Sequence, residues 1–391
     1  MKGKVIIFSA PSGSGKSTII DKLIAEYGLS GRFSISATSR APRGEEVDGV
    51  HYHFLTEEDF RQRIEQGDFL EYEEVYQGLL YGTLKSEVDN TLESGENVIL
   101  DIDVKGAMRV KEIYRDQAIT LFIQPPSIEE LRKRLEKRGT DAPEKIEQRL
   151  KRAKEELSYA PFYDYKVIND DLYIACQEIS TIISRFLRGE KRVLLYPGSF
   201  NPLHVGHIGL ANFIIEEKCD RFDELWFMLT PKSPFKQDDV LLSDKFRADW
   251  IQAIIMDYHK VKLSLDETEL PEPHYTYNTI VHLKKKYPLH HFSLLIGSDS
   301  LEALDKWYRS EDLLNEIDIL VYPRPHHNLD KVTSNLHQNI EILYDAPMFE
   351  ISATTIRNLV KEGKALPFLL GIDMDHPMYK RLTQEILELN P

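Results

Sequence analysis

Cysteine is scarce in this sequence: Cys176 and Cys219 are the only two in 391 residues. They stand far apart and form no metal-ligand spacing, so two reduced thiols are expected rather than a zinc ribbon or a disulfide scaffold. Long apolar runs are missing too. Charged or polar residues bracket Val5–Phe8, which predicts no signal peptide, and no segment approaches a membrane span. Basic charge is in deficit, with 49 Lys and Arg against 64 Asp and Glu and a formal net charge of −15. That balance argues against a nucleic-acid polymer as partner, because non-specific binding needs basic surface to displace counterions. Any hold on phosphate must come from local clusters. The expectation is a cytoplasmic protein with no membrane partner.

What is present fits soluble globular protein: 42% hydrophobic and 29% charged residues, enough to bury a core in each half. Two stretches share one grammar. Val5-Ile6-Ile7-Phe8 runs into Ala10-Pro11-Ser12-Gly13-Ser14-Gly15-Lys16-Ser17-Thr18 and a helical segment. Val193-Leu194-Leu195-Tyr196 runs into Gly198-Ser199-Phe200-Asn201-Pro202-Leu203-His204-Val205-Gly206-His207 and another. Strand, glycine turn and helix start open a nucleotide-binding α/β domain. Two domains are therefore predicted, 1–190 and 191–391, with a short charged connector, Arg188-Gly189-Glu190-Lys191-Arg192, between them. The predicted fold class is α/β: a P-loop fold, then a Rossmann-like fold with a parallel sheet.

In a P-loop, backbone N–H groups and the helix dipole hold phosphates, the lysine reaches the β- and γ-phosphates, and the serine hydroxyl binds Mg²⁺. Ser12, Gly13, Ser14, Gly15, Lys16, Ser17 and Thr18 are the ATP-binding positions on this reading. Asn97-Val98-Ile99-Leu100-Asp101-Ile102-Asp103 predicts a second buried strand that ends in carboxylates, where Asp101 can serve the metal. Arg134 and Arg138 are spaced to share one helix face, and Arg149 lies on the next helix.

The stretch from Phe33 to Phe54 resembles guanylate kinase. The resemblance implies that Ser36, Arg40, Arg43 and Tyr52 grip the phosphate of GMP, within an acceptor region at about 33–92. Three departures stand out there: the loop between Glu71 and Tyr81 is one residue longer than usual, Leu80 sits where an aromatic is common, and Glu45 replaces a usual glycine, setting a carboxylate beside the arginines. Glu71 and Thr83 inherit reading of the guanine base, Tyr81 a phosphate contact, and Asp103 a place toward the acceptor. By the same resemblance the lid, about 128–155, brings Arg134, Arg138 and Arg149 to the transferring phosphoryl group, and Asn169 lies near the adenine. The alternative for this half is a non-catalytic scaffold, which has no need of Lys16, Ser17 or those arginines.

The second half resembles the adenylyltransferase superfamily through Gly198, Ser199, Phe200, His204 and His207, joined by Ile351-Ser352-Ala353-Thr354-Thr355-Ile356-Arg357. Ser352, Thr355 and Arg357 are implied to hold the β- and γ-phosphates of ATP. His-x-x-His spacing can bind zinc, but no third ligand stands near in sequence. Phe292–Leu301 followed by Trp307, and Pro273–Thr279, are similar to bacterial nicotinate-mononucleotide adenylyltransferase. That likeness implies Gly297 and Asp299 on the ATP side, Lys236 on phosphate, Trp307 stacked on the pyridine ring, and Thr276 and Tyr308 at its carboxylate. Nicotinamide mononucleotide or another acceptor is the alternative. His290, His291, His326 and His327 read as surface or loop residues, and the stretch from about 370 carries no assigned role. The whole reading is a bifunctional enzyme using ATP, GMP and nicotinate mononucleotide with Mg²⁺.

Overall fold

A computed structural model of the chain describes every residue except 1, 77, 139–141, 219, 232–241, 326, 328–336, 365–366 and 389–391. The chain divides into two compact units, Met1–Arg188 and Gly189–Pro391. Among the described residues no helix is long and apolar enough to cross a membrane.

The first unit runs through β1 (Val5–Ser9), β2 (Arg32–Phe33), β3 (Ala37–Thr38), β4 (His53–Phe54), β5 (Phe69–Tyr76), β6 (Leu79–Leu84), β7 (Val98–Asp101), β8 (Ala118–Gln124) and β9 (Tyr165–Ile168). Five of these form a parallel sheet in the order β2-β7-β1-β8-β9. A parallel strand inside such a sheet is covered on both faces, so it reads as a continuous apolar run. In β1, Ile6 and Phe8 enter the core shared with the helices Lys16–Tyr27 and Leu172–Arg188. Val5 and Ile7 enter the opposite core, with Val88, Leu92, Val104 and Ala107. The register sets Phe8 opposite Asp101, so the strand ends carrying the glycine loop and the carboxylate meet at one edge. The other four strands make a smaller sheet, β4-β3-β6-β5, in which β6 runs antiparallel to both of its neighbours.

The second unit holds β10 (Lys191–Gly198), β11 (Glu224–Leu229), β12 (Val261–Ser264), β13 (His290–Gly297), β14 (Asp318–Tyr322) and β15 (Ile340–Ile342). All pair in parallel, in the order β12-β11-β10-β13-β14-β15. The chain fills one side of β10 and then crosses to the other. Ligands of open parallel sheets lie outside the carboxyl ends of the strands at such a switch, which here falls between β10 and β13. Arg247, fully buried, braces the loops there by donating to the carbonyls of Ser199, Thr230 and Pro231 and to Asp244.

The stretch beyond 370, which carried no expected role, is a structural part of this unit. Its helix Pro377–Glu388 packs on the helix Ala353–Lys361, and Leu382 and Ile386 enter the main core beside Ile356. Leu382 is 1% exposed. Leu382→Ala is expected to cost about 2–5 kcal/mol, from lost transfer energy plus the cavity left behind. Urea unfolding of the full chain checks this; a change within error would mean the helix is not part of the core.

Candidate active sites

The first site starts at the end of β1. Gly13 and Gly15 have φ of 97° and 91°, values an L side chain rarely adopts, and a Cβ on Gly15 would lie 2.4 Å from Asn169 Nδ2. Asn169 is buried and donates to the Ser14 carbonyl at 2.7 Å, so it braces the loop from beneath. The helix beginning at Lys16 has no side-chain cap, which leaves its first N–H groups for an anion. Lys16 pairs with Asp101, and Arg149 donates to the Ser12 hydroxyl. A cleft of about 550 Å³ joins Ser12, Gly13, Gly15, Lys16, Ser17, Thr18, Asp101, Asp103 and Arg149. Ser14 itself is fully buried and offers this cleft no side chain.

A second cleft of about 770 Å³ lies against β5 and the helix Val104–Tyr114. Glu71 stands opposite Thr83 in the β5–β6 register and accepts its hydroxyl at 2.6 Å. Burial raises the Glu71 carboxyl to about 6, while the Thr83 hydrogen bond works in the other direction. Gly106 lets the helix approach, since a Cβ there would sit 3.0 Å from Glu71 Cγ. Asp103 caps this helix by accepting from the N–H groups of Lys105 and Gly106, and it lines both clefts.

Tyr81 lies two residues before Thr83 on β6, hence on the same face. Its hydroxyl accepts from Arg40 Nε at 3.2 Å, and the Arg40 guanidinium stands 5.0 Å from the Tyr52 ring. The carboxylate beside this arginine is Glu46, not the expected Glu45. Glu46 takes both Arg40 Nη atoms at 2.6 and 2.8 Å and the Arg43 N–H at 2.8 Å, which holds its carboxyl down at about 2. Glu45 is exposed. Ser36 lies next to β3, half-buried, its carbonyl accepting from His53 N at 2.9 Å. Leu80 fills the small sheet's core at 1% exposure, an apolar duty that explains why an aliphatic serves. Of the three arginines expected from the sequence, Arg149 lines the P-loop cleft. Arg134 donates to Glu130 at 3.3 Å along its own helix, and the Arg138 side chain lies outside the described residues.

The second unit's site is a cleft of about 770 Å³ at the β10–β13 switch. His204 is the N-cap of the helix Val205–Glu217, its Nδ1 accepting from Gly206 N–H at 3.2 Å; His207 Nδ1 accepts from His204 N–H at 3.3 Å. With Nδ1 accepting, each neutral ring carries its proton on Nε2. Burial, followed by the nearby Arg324, lowers His204 to about 4; burial, then His204 and Arg324, hold His207 well below the ordinary imidazole value, so both rings are neutral at pH 7. A second helix start meets the same cleft. Ser352 caps Ala353–Lys361 by accepting from Thr355 N–H at 3.1 Å, and Arg357 donates to the Asn201 carbonyl at 2.7 Å, tying the two motifs together. Two positive helix ends therefore face one cavity.

Gly198, Ser199, Phe200, Thr276, Asp299, Trp307 and Tyr308 line that cavity as well. Trp307 does double service, half-buried against the core of Leu301, Leu304 and Leu313 while facing the cleft. Tyr308 stacks on Tyr275 with centroids 4.4 Å apart. Gly297 ends β13 beneath the lining, where a Cβ would lie 2.6 Å from Arg324 Nε. Lys236 lies outside the described residues. Among the described residues, Asp266, Glu269 and His282 bring their ligand atoms within 4.8 Å of one another, but Lys286 already pairs with both carboxylates at 2.8 and 2.9 Å.

Among the lining residues that sequence reasoning missed are Arg324, His327 and Glu267. Arg324, just past β14, lies 3.2 Å from Asp299 and donates to Tyr322; its signal was a lone arginine at a parallel strand's carboxyl end. His327, read as a loop residue, lines the cleft and meets Glu302 at 3.1 Å. Glu267, 2% exposed, takes the Thr230 hydroxyl at 2.8 Å and the Thr279 hydroxyl at 3.5 Å.

A family model described as guanylate kinase matches residues 2–186, and one described as cytidylyltransferase-like matches residues 195–359. The guanylate kinase of Porphyromonas gingivalis is 54% identical over 184 residues, covering 47% of this chain and 98% of that protein. That of Bacteroides thetaiotaomicron is 56% identical over 190 residues, 49% of this chain and 93% of that protein. A crystal structure of guanylate kinase from Anaplasma phagocytophilum is 32% identical, covers 48% of this chain and 87% of its own, and aligns with a TM-score of 0.37.

Burial lifts Glu267 from an ordinary 4.5 to about 7. The folded chain therefore keeps this proton after the unfolded chain has lost it. The stabilisation is full below the unfolded value and is lost as pH rises to the folded one, a swing of about 3 kcal/mol. Glu267→Gln should remove that part of the slope between pH 4.5 and 7. Urea unfolding across this range checks it; parallel profiles for both proteins would contradict it.

Proposed function

Residues 2–186 belong to the guanylate kinase family, and from that premise we propose that the first unit transfers the γ-phosphoryl group of ATP to GMP and that the second transfers AMP from ATP to nicotinate mononucleotide. The chain is a transferase of phosphorus-containing groups in both halves. The observation that carries the first reading is the joining of Lys16, Asp101 and Arg149 in one cleft with Asp103, which also lines the cleft beside Glu71. Lys16 would exchange the Asp101 carboxylate for the β- and γ-phosphates of ATP. Arg40, Arg43, Tyr52 and Tyr81 would take the GMP phosphate, and Glu71 with Thr83 the guanine edge. Fixing donor and acceptor in line and neutralising their charge accounts for the rate. The Asp101 carboxylate and the Ser17 hydroxyl are hard oxygen donors in the same cleft, a set that suits Mg²⁺. When bound with ATP, the ion neutralises phosphate charge.

For the second unit, the supporting observation is one cavity lined by His204, His207, Ser352, Thr355 and Arg357 together with Thr276, Trp307 and Tyr308. An oxygen of the mononucleotide phosphate would attack the α-phosphorus of ATP. A new P–O bond forms as the bond to the bridging α,β-oxygen breaks, and pyrophosphate leaves with that electron pair. The neutral imidazoles donate from Nε2–H and Arg357 supplies charge, so no protein atom is covalently modified. Trp307 would stack on the pyridine ring, with Thr276 and Tyr308 near its carboxylate.

The test is to incubate the full-length chain with Mg-ATP, GMP and equal nicotinate and nicotinamide mononucleotides, then separate the products. GDP together with an excess of the deamido dinucleotide is expected. The amide dinucleotide in excess would overturn the carboxylate pocket, and no dinucleotide would overturn the acceptor class. Absence of GDP would return the first unit to the scaffold reading.

A further inference from the structure

In-line phosphoryl transfer places the migrating group in the space common to donor and acceptor. The P-loop cleft and the cleft beside Glu71 share four lining residues: Asp103, Val104, Arg152 and Glu156. Two are carboxylic acids and one is apolar. Arg152 is the single cation among these four, at the place where two phosphate groups must approach each other.

The helix Pro143–Leu157 explains how it gets there. Arg149 and Arg152 are three residues apart and so share a face. Arg149 reaches the P-loop at Ser12, while Arg152 meets Glu73 of β5 at 3.7 Å and Glu156 of its own helix at 3.0 Å. One helix therefore sends one guanidinium to the donor loop and the next toward the acceptor strand. The Arg152 side chain is 60% exposed and that of Glu73 48%, so this longer pair is solvated and can be exchanged for phosphate oxygens, while the half-buried Glu156 holds the guanidinium at the shared wall.

We propose that Arg152 is a catalytic residue of the first unit, binding the equatorial oxygens of the γ-phosphoryl group as it passes between the clefts. Its planar fork suits that group better than an ammonium does. Asp103 and Glu156 make the need greater, because they add negative charge where negative charge develops. The inference rests on the kinase reading of this unit.

The experiment measures GDP formation by the full-length chain, wild type, Arg152→Ala and Arg152→Lys. Arg152→Ala is expected to lower kcat at least about tenfold while changing the KM for ATP and GMP little, since the contact belongs to the transition state. Arg152→Lys should fall between the two, and added guanidinium at low millimolar concentration should restore part of the Arg152→Ala rate. A kcat within about twofold of wild type, or a loss that appears in KM alone and is not rescued by guanidinium, would overturn the proposal. If the wild-type chain makes no GDP, the kinase reading itself has failed, which is a separate result.

Discussion

Both units hang on the same junction: a parallel strand, buried through its middle, that leads by a short loop into a helix. β1 and β10 lie inside their sheets, bonded on each side, so their ends are held by both neighbours. The helices that follow present unsatisfied N–H groups and a positive dipole at those points. In the first unit the turn is glycine, with left-handed backbone at Gly13 and Gly15; in the second the capping work passes to two histidines. The remaining elements deliver side chains to these ends: β7 brings Asp101, and the helix Ala353–Lys361 brings Arg357.

Electrostatics explains how a chain of net charge −15 can hold phosphate. Four cations of the proposed sites sit beside carboxylates. Lys16 has Asp101, Arg40 has Glu46, Arg152 has Glu156, and Arg324 has Asp299. A partly desolvated cation without a partner is costly. A resident carboxylate offsets that cost and, on the proposed function, would be exchanged for phosphate. Arg324 adds another effect, since with burial it keeps the two imidazoles neutral. They then act as hydrogen-bond donors rather than as charges.

The fold class was legible because both openings write strand, turn and helix in consecutive residues. Cleft-lining residues were legible where they sit inside such motifs, as His204 and Lys16 do. Glu46 was not, because whether Glu45 or Glu46 turns toward Arg40 depends on the loop's backbone path. Arg152 and Arg324 acquire their place from how a helix or strand end lies against a distant element, which no local spacing reports. Glu267 was hidden for the same reason: its burial against Thr230 and Thr279 is a tertiary fact. Asn169 braces the loop because β9 ends beside it, and an asparagine at a strand end reads equally well as a ligand contact. The helix Pro377–Glu388 was passed over although its apolar spacing is helical, because the family likeness ended before it.

The central claim is that one chain carries two separate phosphorus-transfer sites, each built on its own strand–helix junction. Full-length Lys16→Ala and His207→Ala, each assayed for GDP and for dinucleotide formation, test it most directly. The account predicts that Lys16→Ala loses GDP formation by on the order of 100-fold and keeps dinucleotide synthesis, with the reverse for His207→Ala. Loss of both activities in either variant, with the chain still folded, would contradict it.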